Sequence, residues 1–121
     1  MAKQYMLLDE YPLIVLPSLA VKIGLNEAIF LQQLNYLLQH SKNLYDDRKW
    51  VYNSYKQWQE MFPFFSNVTV RRNIESLEKK GLIISGNYNK LKMDKTKWYT
   101  IDYDVFDALD AVDNSEENSV D

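Results

Sequence analysis

An α+β fold, mostly helical and with a small antiparallel sheet, is what this sequence predicts, and three observations carry the prediction. Helical hydrophobic periods lie on both sides of a short β-like run at 50–52. Two further β-like runs follow, with a polar loop between them. Glycine, proline and capping residues punctuate the joints between these segments.

The elements follow in chain order. The apolar stretch 13–23 contains Pro17, which suits the first turn of a helix, and Gly24 then suits a left-handed cap. Asn26 is a natural N-cap for a second helix, with Leu25 and Phe30 at the spacing of a hydrophobic staple. Phe30, Leu34, Leu37 and Leu38 keep helical period to about His40, and 41–47 reads as a polar loop. Trp50, Val51 and Tyr52 form a strand-like run. Ser54 with Gln57 is a capping box that opens a helix to about Met61, and Pro63 forbids its continuation. Ser66 caps the next helix, Phe65 and Val70 are placed to staple it, and Val70, Ile74 and Leu77 form its buried stripe. Gly81 ends that helix after two lysines, as the helix dipole prefers. The runs 82–85 and 97–102 are β-like and enclose the loop 86–96, which makes a hairpin. A short helix over 104–112 closes the domain through Val105, Phe106 and Leu109. The organisation is an N-terminal arm (1–12), a domain (13–109) and an acidic disordered tail (110–121). The order of elements is that of a winged helix-turn-helix with a basic hairpin wing. The alternative is an unspecific α+β domain with a three-stranded sheet.

Composition narrows the class. The 121 residues suit one domain, and 46% hydrophobic and 14% aromatic residues supply a real core. The absence of cysteine excludes disulfides, thiolate catalysis and cysteine zinc sites, and fits a reducing cytoplasm. No run approaches the roughly 18 apolar residues that span a bilayer, and Met1-Ala2-Lys3-Gln4 leads into no signal core. The expectation is a cytoplasmic protein with no membrane partner.

The net charge of −3 hides a strong asymmetry. Residues 48–97 carry eleven basic and four acidic side chains, whereas 98–121 carry eight acidic and none basic. A basic middle beside an acidic end points to a polyanion partner, or else to an ordinary solvated lysine surface.

The helices 54–61 and 66–80, joined by Phe62-Pro63-Phe64-Phe65, have the form of a helix-turn-helix, whose second helix lies in the DNA major groove. With Val70, Ile74 and Leu77 facing the core, Thr69, Arg72, Ser76 and Lys79 are expected outside, flanked by Arg71, Asn73 and Lys80. Arginine reads guanine and asparagine reads adenine through paired hydrogen bonds. Ser66 and the free amides of the helix start suit a phosphate oxygen. Any amphipathic surface helix shows polar residues outside, and Glu75 and Glu78 would repel phosphate if they faced it. The hairpin loop adds Lys90, Lys92 and Lys95, with Lys97, around Asn87, Asn89 and Thr96, and only Asp94 opposes them. Lysines there can follow a phosphate strand, or can simply block edge aggregation of the sheet. Tyr88 and Leu91 enter a minor groove or pack at the base of the loop.

Trp50, Trp58 and Trp98 are assigned to the core in preference to base stacking. His40 stands alone, so no metal or other cofactor is expected. Gly24, Gly81 and Gly86 are too scattered for a phosphate loop, and no nucleophile elbow is visible. The chain therefore reads as a non-enzyme.

Several stretches resemble one family: Leu16-Pro17-Ser18-Leu19-Ala20, Ile23-Gly24-Leu25-Asn26-Glu27-Ala28-Ile29-Phe30-Leu31-Gln32-Gln33-Leu34, Lys49-Trp50-Val51-Tyr52-Asn53-Ser54, Leu77-Glu78-Lys79-Lys80-Gly81-Leu82-Ile83 and Lys97-Trp98-Tyr99-Thr100-Ile101. They are similar to the N-terminal winged-helix region of phage and plasmid replication proteins of Gram-positive bacteria, the DnaD-like and replisome-organizer group. The resemblance implies duplex DNA recognition in replication initiation, contacts with replisome proteins and self-association through the N-terminal arm and first two helices. It carries DNA contact onto Thr69, Arg72 and the loop lysines. Fuller members of the group have a C-terminal domain for single-stranded DNA or helicase contact, where this chain has its acidic tail.

The duplex-binding expectation thus rests on Ser66, Thr69, Arg71, Arg72, Asn73, Ser76, Lys79, Lys90, Lys92 and Lys95. The competing expectations are a protein-interaction or oligomerisation module, motivated by the apolar arm around Tyr5, Met6, Leu7, Leu8 and Tyr11, and a winged-helix transcription regulator, because one fold serves both uses.

Overall fold

The computed structural model describes residues 12–109. The expected arm, apart from Pro12, and the acidic tail lie outside the described residues. Five helices and one four-stranded antiparallel sheet make up the described chain, of which about half is helical. Helices α1 (Pro17–Ile23) and α2 (Leu25–Gln39) precede a hairpin of β1 (Asn43–Tyr45) and β2 (Arg48–Asn53). Helices α3 (Tyr55–Met61) and α4 (Asn67–Lys79) follow, then β3 (Ile83–Gly86) and β4 (Lys97–Ile101). A last helix, α5, runs from 103 to the end of the described residues at 109.

The local signals explain most of the joints. Pro17 stands at the start of α1 with its missing amide where no partner is needed. Ser54 and Gln57 close a reciprocal capping box on α3. The Ser66 hydroxyl accepts from the Thr69 amide at 3.1 Å and caps α4. At the other end of α4, Gly81 takes φ 74°. Its amide donates to Glu78 and that of Leu82 to Leu77, both at 3.0 Å, which is the paired Schellman closure.

Two local expectations are corrected. Asn26 lies inside α2 and caps nothing; Gly24, with φ 102°, is the N-cap, because its positive φ lets the chain turn into the helix early. Leu25 is consequently exposed and makes no staple with the buried Phe30. The expected polar loop 41–47 contains β1, which pairs with β2 across the turn Asp46-Asp47. Both turn residues have positive φ, 51° and 60°, a geometry aspartate tolerates and hairpins favour.

The strand order is β1-β2-β4-β3, so β4 is central between β2 and β3. Adjacent residues of a strand point to opposite faces, and this sheet is covered on both. Val51, Tyr99 and Ile101 face the helices and join the core of Phe30, Leu34, Trp58, Phe62, Val70, Ile74 and Leu77. Phe30, Trp58 and Phe62 form its aromatic centre, with Phe30 4.6 Å from Trp58 and 5.5 Å from Phe62 between ring centroids. Trp50 and Trp98 are buried as expected but belong to the other face. There they meet Tyr45, Tyr52 and Tyr88, with Tyr45 and Tyr88 stacked at 4.4 Å. No described helix is long and apolar enough to cross a membrane.

Candidate nucleic-acid interface

Helices α3 and α4 are joined through a tight turn. Phe62 and Phe65 are buried beneath it, and the Phe65 amide donates to the Phe62 carbonyl at 3.0 Å. The Gln59 side-chain amide donates to the Phe65 carbonyl and holds the turn against α3. Fixed in this way, α4 buries Val70, Asn73, Ile74 and Leu77 and exposes Val68, Arg71, Arg72, Glu75 and Lys79. The spacing of Arg72, Glu75 and Lys79 puts them along one stripe of the helix.

Three of the expected contacts on α4 are placed differently. Asn73 is only 3% exposed and lies on the buried face, where it cannot reach a base; its side-chain nitrogen has no partner. The buried set 70, 73, 74 and 77 has the full i, i+3, i+4, i+7 period of an apolar face, so Asn73 occupies a core position. Ser76 turns toward α2, donating to Glu27 at 2.8 Å and accepting from Lys80 at 2.7 Å. Thr69 is half-buried, with its hydroxyl 2.9 Å from that of the capping Ser66. Ser66 itself is exposed, but its oxygen is engaged by the cap. Arg72 and Lys79 remain exposed, and neither has an ion-pair partner among the described residues. Lys80 instead pairs with Glu27 at 3.6 Å.

Arg71 is positioned by a residue that motif reasoning missed. Its guanidinium lies 4.5 Å from the ring centroid of Tyr55, in the first turn of α3. The Lys97 ammonium, at the start of β4, lies 6.0 Å from the same ring. One tyrosine therefore gathers a cation of α4 and a cation at the root of the β3–β4 hairpin. The signal was present as an aromatic directly after an N-cap, but nothing in the sequence pairs Tyr55 with Arg71.

The loop 87–96 between β3 and β4 is organised by hydrogen bonds. Asn89 donates to the carbonyls of Asp94 and Thr96, at 2.9 and 2.7 Å, and accepts from the Trp98 indole at 2.8 Å. Asp94 accepts from the Tyr52 hydroxyl at 2.7 Å and from the Thr96 amide at 3.0 Å. Those donors hold the Asp94 carboxyl below its ordinary range, the tyrosine contributing most. Tyr88 packs under the loop and donates to Asp46 in the β1–β2 turn at 2.5 Å, which raises its own pKa. The one acid among the loop lysines is thus bonded inward. Lys90, Lys92 and Lys95 project outward, exposed and without an ion-pair partner among the described residues.

Among the described residues, no group of three or more histidine, aspartate or glutamate side chains is arranged to hold a metal. Glu75 is the exposed acid within the α4 stripe. The chain matches no family model, and no curated protein or solved structure is significantly similar to it. The described residues form a small α+β domain in which α4 and the β3–β4 loop present exposed cations.

Proposed function

We propose that this is a winged helix-turn-helix domain that binds duplex DNA, with α4 in the major groove and the loop 87–96 as a wing on the phosphates. The observation that carries the reading is the Tyr55 ring bracketed by Arg71 of α4 and Lys97 of β4. It makes the helix and the hairpin root neighbours, so their cations act as one surface. The sheet order supports the reading, since β3 and β4 form a hairpin directly after the two helices and β4 pairs back to β2. Arg72 is the proposed base reader, helped by the exposed Asn67 in place of Asn73. Arg71, Lys79, Lys90, Lys92 and Lys95 neutralise phosphates. Ser66 and Thr69 bound the start of the helix. The role is binding and not catalysis, in the cytoplasm, and the sequence resemblance favours phage or plasmid replication initiation over transcriptional control.

The test is fluorescence polarisation on duplexes of random and varied sequence. Arg72→Ala is expected to weaken binding by roughly 1–3 kcal/mol and to flatten sequence preference, while Lys92→Ala weakens all duplexes alike. Absence of binding at low salt refutes the proposal.

A second reading has its own observation. Ile14, Leu16, Val21 and Leu25 are exposed on and around α1. Leu16 also lines a cavity of about 350 Å³, together with Leu19, Leu31, Phe106 and Leu109. That surface favours self-association or a replisome partner at the first two helices, beside the DNA role. Light scattering on the Val21→Ser, Leu25→Ser variant checks it, with an unchanged mass as the refuting result.

A further inference from the structure

The tip of the proposed wing is not a uniformly polar loop. Leu91 is 73% exposed and Met93 91% exposed, and they stand two residues apart with Lys92 between them. The Asp94 amide donates to the Leu91 carbonyl at 3.1 Å, so residues 91–94 form a closed turn with Lys92 and Met93 at its corners. Single exposed apolar side chains are ordinary on a protein surface. Two at the outermost turn of a loop, ringed by Lys90, Lys92 and Lys95, are a different arrangement.

The turn is also held from below. Asp94 is anchored to Tyr52 on β2 and to Thr96, and Asn89 ties the two sides of the loop to the Trp98 indole. The backbone that carries the apolar tip is therefore tied down on both sides, at Asn89 and Asp94, which lowers the ordering cost of inserting it.

Building on the duplex-binding reading, we infer that Leu91 and Met93 form an apolar wedge that enters the minor groove and partly unstacks one flexible base step, while Lys90, Lys92 and Lys95 hold the flanking phosphates. Charge complementarity selects nucleic acid as the occupant: the lysines fit a polyanion on either side of the groove, and the apolar pair fits the base-step interior. Proteins that unstack base steps use leucine and methionine in this way and bend the duplex as they do. A pyrimidine–purine step such as TA is the cheapest to open and is the expected site. Burial of the two side chains offsets the cost of unstacking and leaves a net gain on the order of tenfold in affinity.

The experiment uses the full chain and a duplex carrying 2-aminopurine at a TA step, with donor and acceptor dyes at its ends. The wild type is compared with Leu91→Ser, Met93→Ser, which leaves every lysine in place and alters only exposed side chains. The expected result is a rise in 2-aminopurine fluorescence and a shortened end-to-end distance with the wild type, both lost in the variant. Affinity falls about tenfold while the salt dependence of binding is kept. Wild-type binding without unstacking or bending overturns the wedge and leaves duplex binding intact. Failure of both proteins to bind duplex overturns both readings. Sedimentation with anionic phosphatidylserine vesicles is run alongside. Capture of the wild type alone, with no unstacking of DNA, assigns the tip to a lipid surface and also overturns the wedge.

Discussion

Removing the three lysines of the β3–β4 loop together gives the most quantitative test of the proposed interface. The five proposed phosphate contacts, Arg71, Lys79, Lys90, Lys92 and Lys95, are exposed, and none forms an ion pair among the described residues. Each cation seated on a phosphate releases a counterion, and each contributes about −0.9 to the slope of log affinity against log salt. If all five engage, the slope is about −4.5, and affinity falls about 500-fold between 50 and 200 mM salt. Lys90→Ala, Lys92→Ala, Lys95→Ala should leave a slope of about −1.8 and a loss of only about 12-fold over the same interval. None of the three makes a hydrogen bond within the described fold, so the melting temperature should not move. Fluorescence polarisation on a random-sequence duplex across that salt range measures both slopes. A triple variant with the wild-type slope would show that the loop does not touch phosphate, and would confine any DNA contact to α4.

Three further outcomes follow from the fold. Asn73→Leu removes a buried, unpartnered donor from a core position. It is expected to stabilise the protein by about 1 kcal/mol in urea unfolding and to leave duplex binding unchanged; lost sequence preference in a folded variant would return Asn73 to the bases. Gly81→Ala must force φ 74° on a residue with a Cβ, although the nearest atom, Val105 Cγ1 at 3.7 Å, leaves room for it. The cost is therefore conformational, about 1 kcal/mol, with a fall in Tm of about 4–8 °C, and Gly81→Asn should recover part of it. Asp94 has its pKa lowered in the fold, so its contribution to the order of the β3–β4 loop is present above the ordinary aspartate value of 3.8 and is lost as pH falls through the depressed folded value. The NMR signal of the Trp98 indole N–H should shift in that acid window, and Asp94→Ala should abolish the transition; an identical titration in the variant would detach Asp94 from the order of that loop.

The two kinds of signal in the sequence differ in how far they reach. Most local ones were legible: Pro17, the Ser54–Gln57 box, Ser66 and Gly81 sit where capping chemistry puts them, because each acts on the next few amides or carbonyls, whereas Asn26 fails as a cap because Gly24 starts its helix two residues earlier. Signals that depend on helical phase were read one position out. Taking 70, 74 and 77 as the stripe left Asn73 on its flank and aimed Ser76 outward, although a buried face extends over 73 as well. A polar residue in a core position is invisible to a hydrophobicity pattern until packing is known. Asp46-Asp47 was missed because hairpin turns are usually recognised by glycine or asparagine, and the pair reaches positive φ without either.

The least legible part is the underside of the β3–β4 loop, and it bears directly on the proposed function. The pair Trp50 and Tyr52 of β2, Tyr88 and Trp98 come from three separate stretches, and the β2–β4 pairing, with Tyr52 opposite Trp98, brings them under one loop. Had the tryptophans lain in the helical core, the loop would rest on a solvated sheet face and its lysines would sample many directions. Instead the Asn89, Asp94 and Tyr88 bonds seat it on an aromatic floor. Binding then orders few additional side chains, so more of the phosphate attraction appears as affinity. Loosening the floor should therefore weaken binding without altering a single cation. Asn89→Ala removes the bonds to Trp98, Asp94 and Thr96 and makes that case. The expected result is weaker duplex affinity with the salt slope preserved, measured by the same polarisation titration. A change in slope with no change in affinity at low salt would instead mean that the loop contacts phosphates independently of its support.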